Sequence, residues 1–279
     1  MNSLILSGFW LNAKSITNFE HLLYTTMLDL NPITSILNKL NTVSLQQINN
    51  VELMNRRDTK FVFNTALLPE LLTELMPFYN ILMIDNIRLY PYTTDYYDTD
   101  DLKMYYQHQN GKLNRYKFRF RSYDAFNKNF LELKFKSNKS KTLKKRIEIC
   151  DREAISYEAV SFLDQESPMS FEDLSLKLEN KFDRITLVNK EMTERLTIDL
   201  NLSFSNSSNI KKLDHLAIAE LKQDIFIKSN SSFTVIMKKR GIRSLSISKY
   251  CLGMLLLNPE IKQNTFKAKL LLLKKIIAN

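Results

Sequence analysis

Alternating polar and apolar residues dominate the middle of the chain. This period-two pattern predicts strands at 56–63, 81–90, 93–107, 113–123, 129–137, 142–149, 184–190, 194–204, 215–223 and 232–240. Helical spacing of apolar residues predicts helices at 28–48, 66–78, 152–164, 170–180, 248–257 and 260–276. Asn110-Gly111 predicts a hairpin turn. Long alternating strands in series indicate an α+β fold: an antiparallel sheet, curled or closed, with helices packed outside.

The charged residues of these strands collect on single faces, because side chains two positions apart point the same way. In 113–123 one face carries Arg115, Lys117, Arg119 and Arg121, and the other carries Tyr116, Phe118 and Phe120. The same parity groups Arg56, Asp58 and Lys60; Glu132, Lys134 and Lys136; Lys144, Arg146 and Glu148; Arg195 and Asp199; and Glu220 and Lys222. A single strand of this kind is typical of a half-buried sheet with a solvated face. Like charges at every second residue repel, so the repetition over six strands favours another explanation.

Curling such a sheet with its apolar side outward places the basic residues in a shared interior. Unpaired charges there are costly unless an anion lies among them. A linear polyphosphate or a nucleoside triphosphate fits, because arginine forks match phosphate oxygens. The isolated carboxylates Glu220 and, as a second candidate, Glu132 are suited to a divalent cation that bridges phosphates.

Composition limits the alternatives. The 279 residues carry a net charge of +10 and only four glycines, so neither a dinucleotide-binding glycine turn nor a glycine-rich phosphate loop fits. Two cysteines and three histidines match no zinc spacing, and low cysteine content weakly favours a cytoplasmic protein. No apolar run reaches the ~18–20 residues of a transmembrane segment. We predict an N-terminal arm and helix over 1–48, with residues 1–26 an upstream extension or loose arm before Met27, and one domain over 49–279.

Seven short motifs occur in an order that resembles a known family. They are 56–61 (RRDTKF), 96–99 (YYDT), 119–123 (RFRSY), 131–134 (LELK), 195–199 (RLTID), 219–222 (AELK) and 248–250 (SKY). Together they resemble the VTC domain, the polyphosphate polymerase domain of the vacuolar transporter chaperone complex, over roughly residues 50–275.

The resemblance implies the triphosphate tunnel fold of the CYTH-like superfamily, an eight-stranded antiparallel barrel. It also implies transfer of the ATP γ-phosphoryl group to a growing inorganic polyphosphate chain, with Mn²⁺ or Mg²⁺. By motif, it gives phosphate-binding roles to Lys60, Arg119, Arg121, Lys134, Arg195 and Lys249. Glu220 would hold the metal, and Ser248 would assist at the phosphate. Strand parity adds Lys144 and Arg146, with Arg56 and Lys222 as further candidates. The resemblance also implies an arginine in the strand 184–190, and either Arg184 or Lys190 would fill that role.

Other interpretations stay open at this point. The E-x-E-x-K opening of hydrolytic tunnel enzymes is absent, yet a metal-dependent triphosphatase or a non-catalytic polyphosphate- or nucleotide-binding module remains an alternative. Nucleic acid is not expected, because the basic residues alternate within strands. Glu220 could simply pair with Lys222 or a neighbouring arginine, Ser248 could be only a helix N-cap and Lys249 a surface lysine. The phosphate-sensing and membrane segments of the eukaryotic complex have no counterpart here, so coupling to translocation would need an unidentified membrane-protein partner.

Overall fold

The structure is a computed structural model that describes residues 31–49, 56–139, 142–150, 156–224, 226 and 231–278. The predicted arm over 1–26 lies outside this part of the chain. The strands are β1 (Thr42–Val43), β2 (Arg56–Asn64), β3 (Tyr79–Leu82), β4 (Leu89–Asp98), β5 (Arg115–Tyr123), β6 (Lys128–Lys136), β7 (Thr142–Ile149), β8 (Ser175–Asn189), β9 (Glu194–Ser205), β10 (Ile210–Leu213) and β11 (Leu216–Asp224). The helices are α1 (Asn31–Leu37), α2 (Leu45–Asn49), α3 (Leu68–Leu75), α4 (Lys103–Gln109), α5 (Tyr157–Glu166), α6 (Ser232–Lys239), α7 (Lys249–Leu257) and α8 (Lys267–Ala278).

Eight strands form one continuous antiparallel sheet in the order β2-β11-β9-β8-β4-β5-β6-β7. β10 extends β9, β3 pairs with β8, and β1 runs parallel to β3. Within the described residues β2 and β7 are the two edges, so the sheet is curled but open between them. The predicted antiparallel architecture is confirmed.

Contacts across the hollow show the curl. The N-terminal end of α7 reaches two strands that are three steps apart: Lys249 Nζ lies 2.6 Å from Asp199 Oδ2 on β9, and Ser248 Oγ accepts a hydrogen bond of 2.9 Å from Lys117 Nζ on β5. In a flat sheet, β2 and β6 would stand roughly 29 Å apart. Yet Lys60 on β2 lowers the pKa of Lys134 on β6, which requires that the strands face each other.

Helices cover the convex face of the sheet. One buried cluster packs α1, α3 and α6 against the outward side chains of β2, β8, β9 and β11. A second packs α5 against Phe118 and Phe120 of β5 and Leu131 and Leu133 of β6. These are the apolar faces that strand parity predicts.

Helix α7 lies instead against the concave face, where it fills one end of the hollow. All of its residues from Tyr250 to Leu257 are buried, and Tyr250 stacks on Tyr96 with ring centroids 5.3 Å apart. A Cβ atom at Gly253 would lie 2.5 Å from Phe204 Cδ1, so glycine allows the close approach of helix and sheet. The hollow is therefore blocked at this end by an apolar helix.

Several predicted elements differ from the structure. Residues 170–180 belong largely to β8, because pairing with β4 and β9 on both sides outweighs an ambiguous apolar spacing. Residues 232–240 form α6, which Ser231 caps by accepting from the Thr234 amide. The single helix predicted over 28–48 is α1, β1 and α2 in its described part. Asn110 and Gly111 end α4, with Gly111 at φ +68°, and do not join two strands.

No helix in the described residues is long and apolar enough to cross a bilayer.

Candidate functional site

The concave face gathers basic side chains from seven of its eight strands, all but β4. Register places Arg119 and Arg121 of β5 beside Glu132 and Phe130 of β6, and Glu132 beside Arg146 of β7. On the opposite wall, register aligns Glu220 with Lys60 and Thr197, and Lys222 with Asp58 and Arg195. The apolar residues that alternate with these are buried under the outer helices, so the charges have only the hollow to face.

A buried carboxylate organises the β5–β7 wall. The side chain of Glu132 is 1% exposed and accepts from Arg119 Nε at 2.7 Å. Lys144 Nζ also contacts it, and Arg121 Nη1 lies 3.9 Å away. These three cations hold the pKa of Glu132 well below its usual range, although burial opposes that shift. Glu132 is thus already neutralised by cations and orders three basic groups at the surface of the hollow.

A second buried carboxylate, Asp199, organises the β8–β9 wall. Arg184 forms a bidentate pair with it at 2.6 Å and 2.9 Å, and Lys249 Nζ joins at 2.6 Å. Tyr92 and Phe182 lie beneath, stacked with ring centroids 5.2 Å apart. The Arg184 guanidinium carbon lies 4.9 Å from the Tyr92 ring centre. Lys249, whose side chain is 12% exposed, is therefore a largely covered lysine of this wall and not a surface residue.

A third carboxylate, Glu220, pairs with two lysines. Lys60 Nζ lies 2.9 Å from Glu220 Oε1, and Lys222 contacts Oε2. Within the described residues no group of three or more His, Cys, Asp or Glu side chains gathers as a metal cage. A single carboxylate fits a divalent cation only when the substrate's own phosphate oxygens complete the shell. Glu220 would bind a metal only together with such phosphate oxygens. The structure does contain the Glu220–Lys222 ion pair that the sequence offered as the alternative to a metal role.

Five lysines of the hollow have lowered pKa values, and Lys222 and Lys249 are two of them. The pKa values of Lys117, Lys134 and Lys144 all fall to about 8, first because burial disfavours the charged form and then because other cations lie near. Nevertheless, water still reaches Lys134 and Lys144. Lys134 and Lys144 are thus surrounded by protein but open to solvent, on a concave face where cations outnumber carboxylates.

Of the remaining candidate phosphate-binding residues, some lie at the hollow and one lies outside it. Arg195 Nη2 donates to the Ile48 carbonyl at 2.8 Å, and its pKa is lowered by burial and then by Arg56, which places Arg56 nearby. Arg146 lies over the Phe130 ring, with its guanidinium carbon 4.7 Å from the ring centre. Lys190 is exposed in the turn after β8, outside the hollow. Of the two alternatives for the additional cation, the structure brings only Arg184 into the site.

Ser248 does two things at the blocked end. Its side chain accepts from the Cys251 amide as the N-cap of α7, and it also accepts from Lys117 Nζ. The predicted cap is present, and the same oxygen faces the basic hollow.

The YYDT motif is structural. Asp98 is fully buried and accepts from the Met104 and Tyr105 amides at the start of α4, both at 2.9 Å. It also accepts from the Tyr250 hydroxyl of α7. Asp98 therefore fixes α4 and α7 to β4.

Sequence reasoning missed four members of the site. Lys117 shares the parity of Arg119 and Arg121, so its place was visible in the pattern but no role was given to it. Asp199 lay within a recognised motif without an assigned partner. Tyr92 and Phe182 carried no signal, because their contact with Arg184 depends on the pairing of β4 with β8.

Fold and site together define a curled antiparallel sheet with a cationic concave face. The family model of the VTC domain matches residues 55–258, from β2 to the end of α7, and the chain belongs to the VTC domain family. This membership supports a polyphosphate-related function. A search of curated proteins finds no match.

Solved structures with a similar fold are distant. They include the PH1819 protein of Pyrococcus horikoshii OT3, at 13% identity over 73% of this chain and 96% of that chain, with a TM-score of 0.41. The Hippeastrum protein HpAC1, described with a dominant triphosphatase activity, has 15% identity over 72% of this chain and 95% of that chain, with a TM-score of 0.40.

Proposed function

We propose that the protein is a polyphosphate polymerase, which joins the γ-phosphoryl group of ATP to a growing inorganic polyphosphate chain. The observation that carries the proposal is the cationic hollow, in which Glu132, Asp199 and Glu220 are each shared by two or more basic groups. Lys134 and Arg146 add to these groups, so the cations of the hollow outnumber its three carboxylates. A donor and an acceptor chain would together neutralise them.

The chemistry requires positioning more than proton transfer. A terminal oxygen of the polyphosphate chain is already ionised near neutral pH, so it can attack the γ-phosphorus without a general base. A new P–O–P bond forms while the bond to the β-phosphate oxygen breaks, and ADP leaves with that oxygen's charge. The protein's task is to hold both chains in line and to neutralise their charge.

The walls divide this task. Arg119, Arg121 and Lys144, ordered by Glu132, would hold one set of phosphates, and Arg184 and Lys249, ordered by Asp199, another. Lys60 and Lys222 would complete the grip beside Glu220. A divalent cation held by Glu220 and phosphate oxygens would withdraw charge from the reacting phosphates.

The test is chain growth. Purified protein is incubated with ATP, Mn²⁺ or Mg²⁺ and a short polyphosphate primer, and the products are resolved by gel electrophoresis. We expect a ladder of lengthening chains that is lost in Arg119→Ala and retained in Lys238→Ala, which removes an exposed lysine of α6 on the convex side. Phosphate release without chain growth would replace the proposal with a triphosphatase. Tight, salt-sensitive binding without turnover under any divalent cation would indicate a binding module.

A further inference from the structure

Partly exposed aromatic rings line the unblocked end of the concave face. Tyr92 of β4, Tyr123 of β5 and Phe130 of β6 form an aromatic wall across three neighbouring strands. Ring centroids are 4.9 Å apart for Tyr92 and Tyr123, and 5.4 Å apart for Tyr123 and Phe130. Register places Tyr123 opposite Tyr92, and Phe130 opposite Arg121. The wall therefore adjoins the basic groups without a break.

The wall differs from the other aromatic groups of β5. Phe118 and Phe120 point outward and are buried under α5. Tyr123 and Phe130 point into the hollow, remain partly exposed, and belong to none of the apolar core clusters of the described residues. Their contacts on the hollow side are with each other, with Tyr92 and with the exposed Arg146. Planar apolar surface left open beside cations is suited to a planar ligand.

We propose that the aromatic wall is the subsite for the nucleobase of a nucleoside triphosphate. The base stacks on the ring of Tyr123. Phe130, whose ring stands at 79° to that of Tyr123, packs against the edge of the base, and Arg146, which lies over Phe130, adjoins it. This inference rests on the proposed function in that it takes the triphosphate to lie in the hollow.

Spacing along β5 supports simultaneous binding of base and phosphates. Residues two apart on a strand stand about 6.8 Å from each other, so Tyr123 lies one such step beyond Arg121. A ribose spans a comparable distance between the α-phosphate and the base. Phosphates held by Arg119 and Arg121 would therefore leave the base at the wall and the γ-phosphate deeper in the hollow, towards α7.

The test compares a ligand that has a base with one that has none. Tyr123→Leu, Phe130→Leu and the double variant are titrated calorimetrically with ATP and with inorganic tripolyphosphate at one salt and metal concentration. We expect ATP affinity to fall roughly five- to hundredfold, the range for lost base–aromatic stacking, while tripolyphosphate affinity stays within about twofold. Tyr157→Leu is the control, since Tyr157 is 82% exposed on α5, and it should change neither affinity.

Variants that retain an aromatic ring distinguish a loss of stacking from a loss of protein stability. Phe130→Tyr and Tyr123→Phe preserve stacking and should keep ATP affinity near that of the wild type even where the leucine variants are destabilised. Equal losses for ATP and tripolyphosphate in the leucine variants would overturn the proposal, as the wall would then only support Arg121 and Arg146. Unchanged ATP affinity would also overturn it. Selective loss of ATP binding in a protein that never extends a chain keeps the subsite and removes the polymerase.

Discussion

Replacing Glu132 by glutamine removes one buried negative charge from the centre of three cations. The side chain is 1% exposed, and Arg119, Arg121 and Lys144 lose their common partner. Breaking a buried ion pair costs about 3–5 kcal/mol in the free energy of unfolding. We expect the lower end of this range, about 3 kcal/mol, because Lys144 is 37% exposed and water can solvate part of its charge when Glu132 is absent. For a domain of this size, that lowers the melting temperature by about 6–12 °C.

Thermal unfolding followed by circular dichroism, with and without tripolyphosphate, measures the effect. Tripolyphosphate should raise the melting temperature of Glu132→Gln more than that of the wild type, because the anion replaces the lost charge among the orphaned cations. The control is Glu148→Gln, whose pair with Lys128 is more than half exposed on both sides and should change the melting temperature by less than about 4 °C. A variant as stable as the wild type, or an equal rise with tripolyphosphate in both proteins, would refute this reasoning.

The same substitution has a defined pH dependence. The folded protein holds the pKa of Glu132 below its unfolded value, so its stabilisation is present above the ordinary glutamate pKa of about 4.3 and is lost as the pH falls through the folded value. The difference in stability between wild type and Glu132→Gln should therefore be constant from about pH 7, below the pKa of Lys144, to about pH 5, and narrow below it. A constant difference down to pH 3 would contradict the assignment of Glu132 as a charged group.

Three further outcomes follow from the hollow and its blocked end. Tripolyphosphate affinity should fall above pH 8, by up to about tenfold per pH unit for each of Lys117, Lys134 and Lys144, because each must regain a proton on binding. Calorimetry in two buffers should show proton uptake at pH 8.5. Lys134→Ala should flatten this pH profile and weaken binding, and Lys238→Ala should do neither. Gly253→Val should destabilise the protein by about 1–3 kcal/mol, since a Cβ atom there meets Phe204 at 2.5 Å; a raised melting temperature would show that α7 is loosely packed.

The period-two pattern predicted most of the architecture. Arg119 and Phe120 lie on opposite faces of β5 because successive side chains must alternate, and this follows from the backbone wherever the strand pairs. Strand parity therefore predicted which side chains face the hollow, and β2, β5, β6, β7, β9 and β11 lie close to their predicted bounds. The pattern failed in part of β8 and in α6, where short apolar runs are compatible with a strand or a helix. There the secondary structure depends on pairing with neighbouring strands or on a helix cap such as Ser231.

The sequence by itself determined that the chain is basic, poor in glycine and built of strands with one charged and one apolar face, because composition and alternation are properties of the chain alone. It did not determine that Asp199 joins Arg184 to Lys249, or that α7 enters the hollow and blocks one end. Those contacts join residues distant in sequence, and they depend on the curl of the sheet and on an apolar helix packing at Gly253. The tertiary structure thus decided which charges are neutralised internally and which remain for the proposed phosphate ligand.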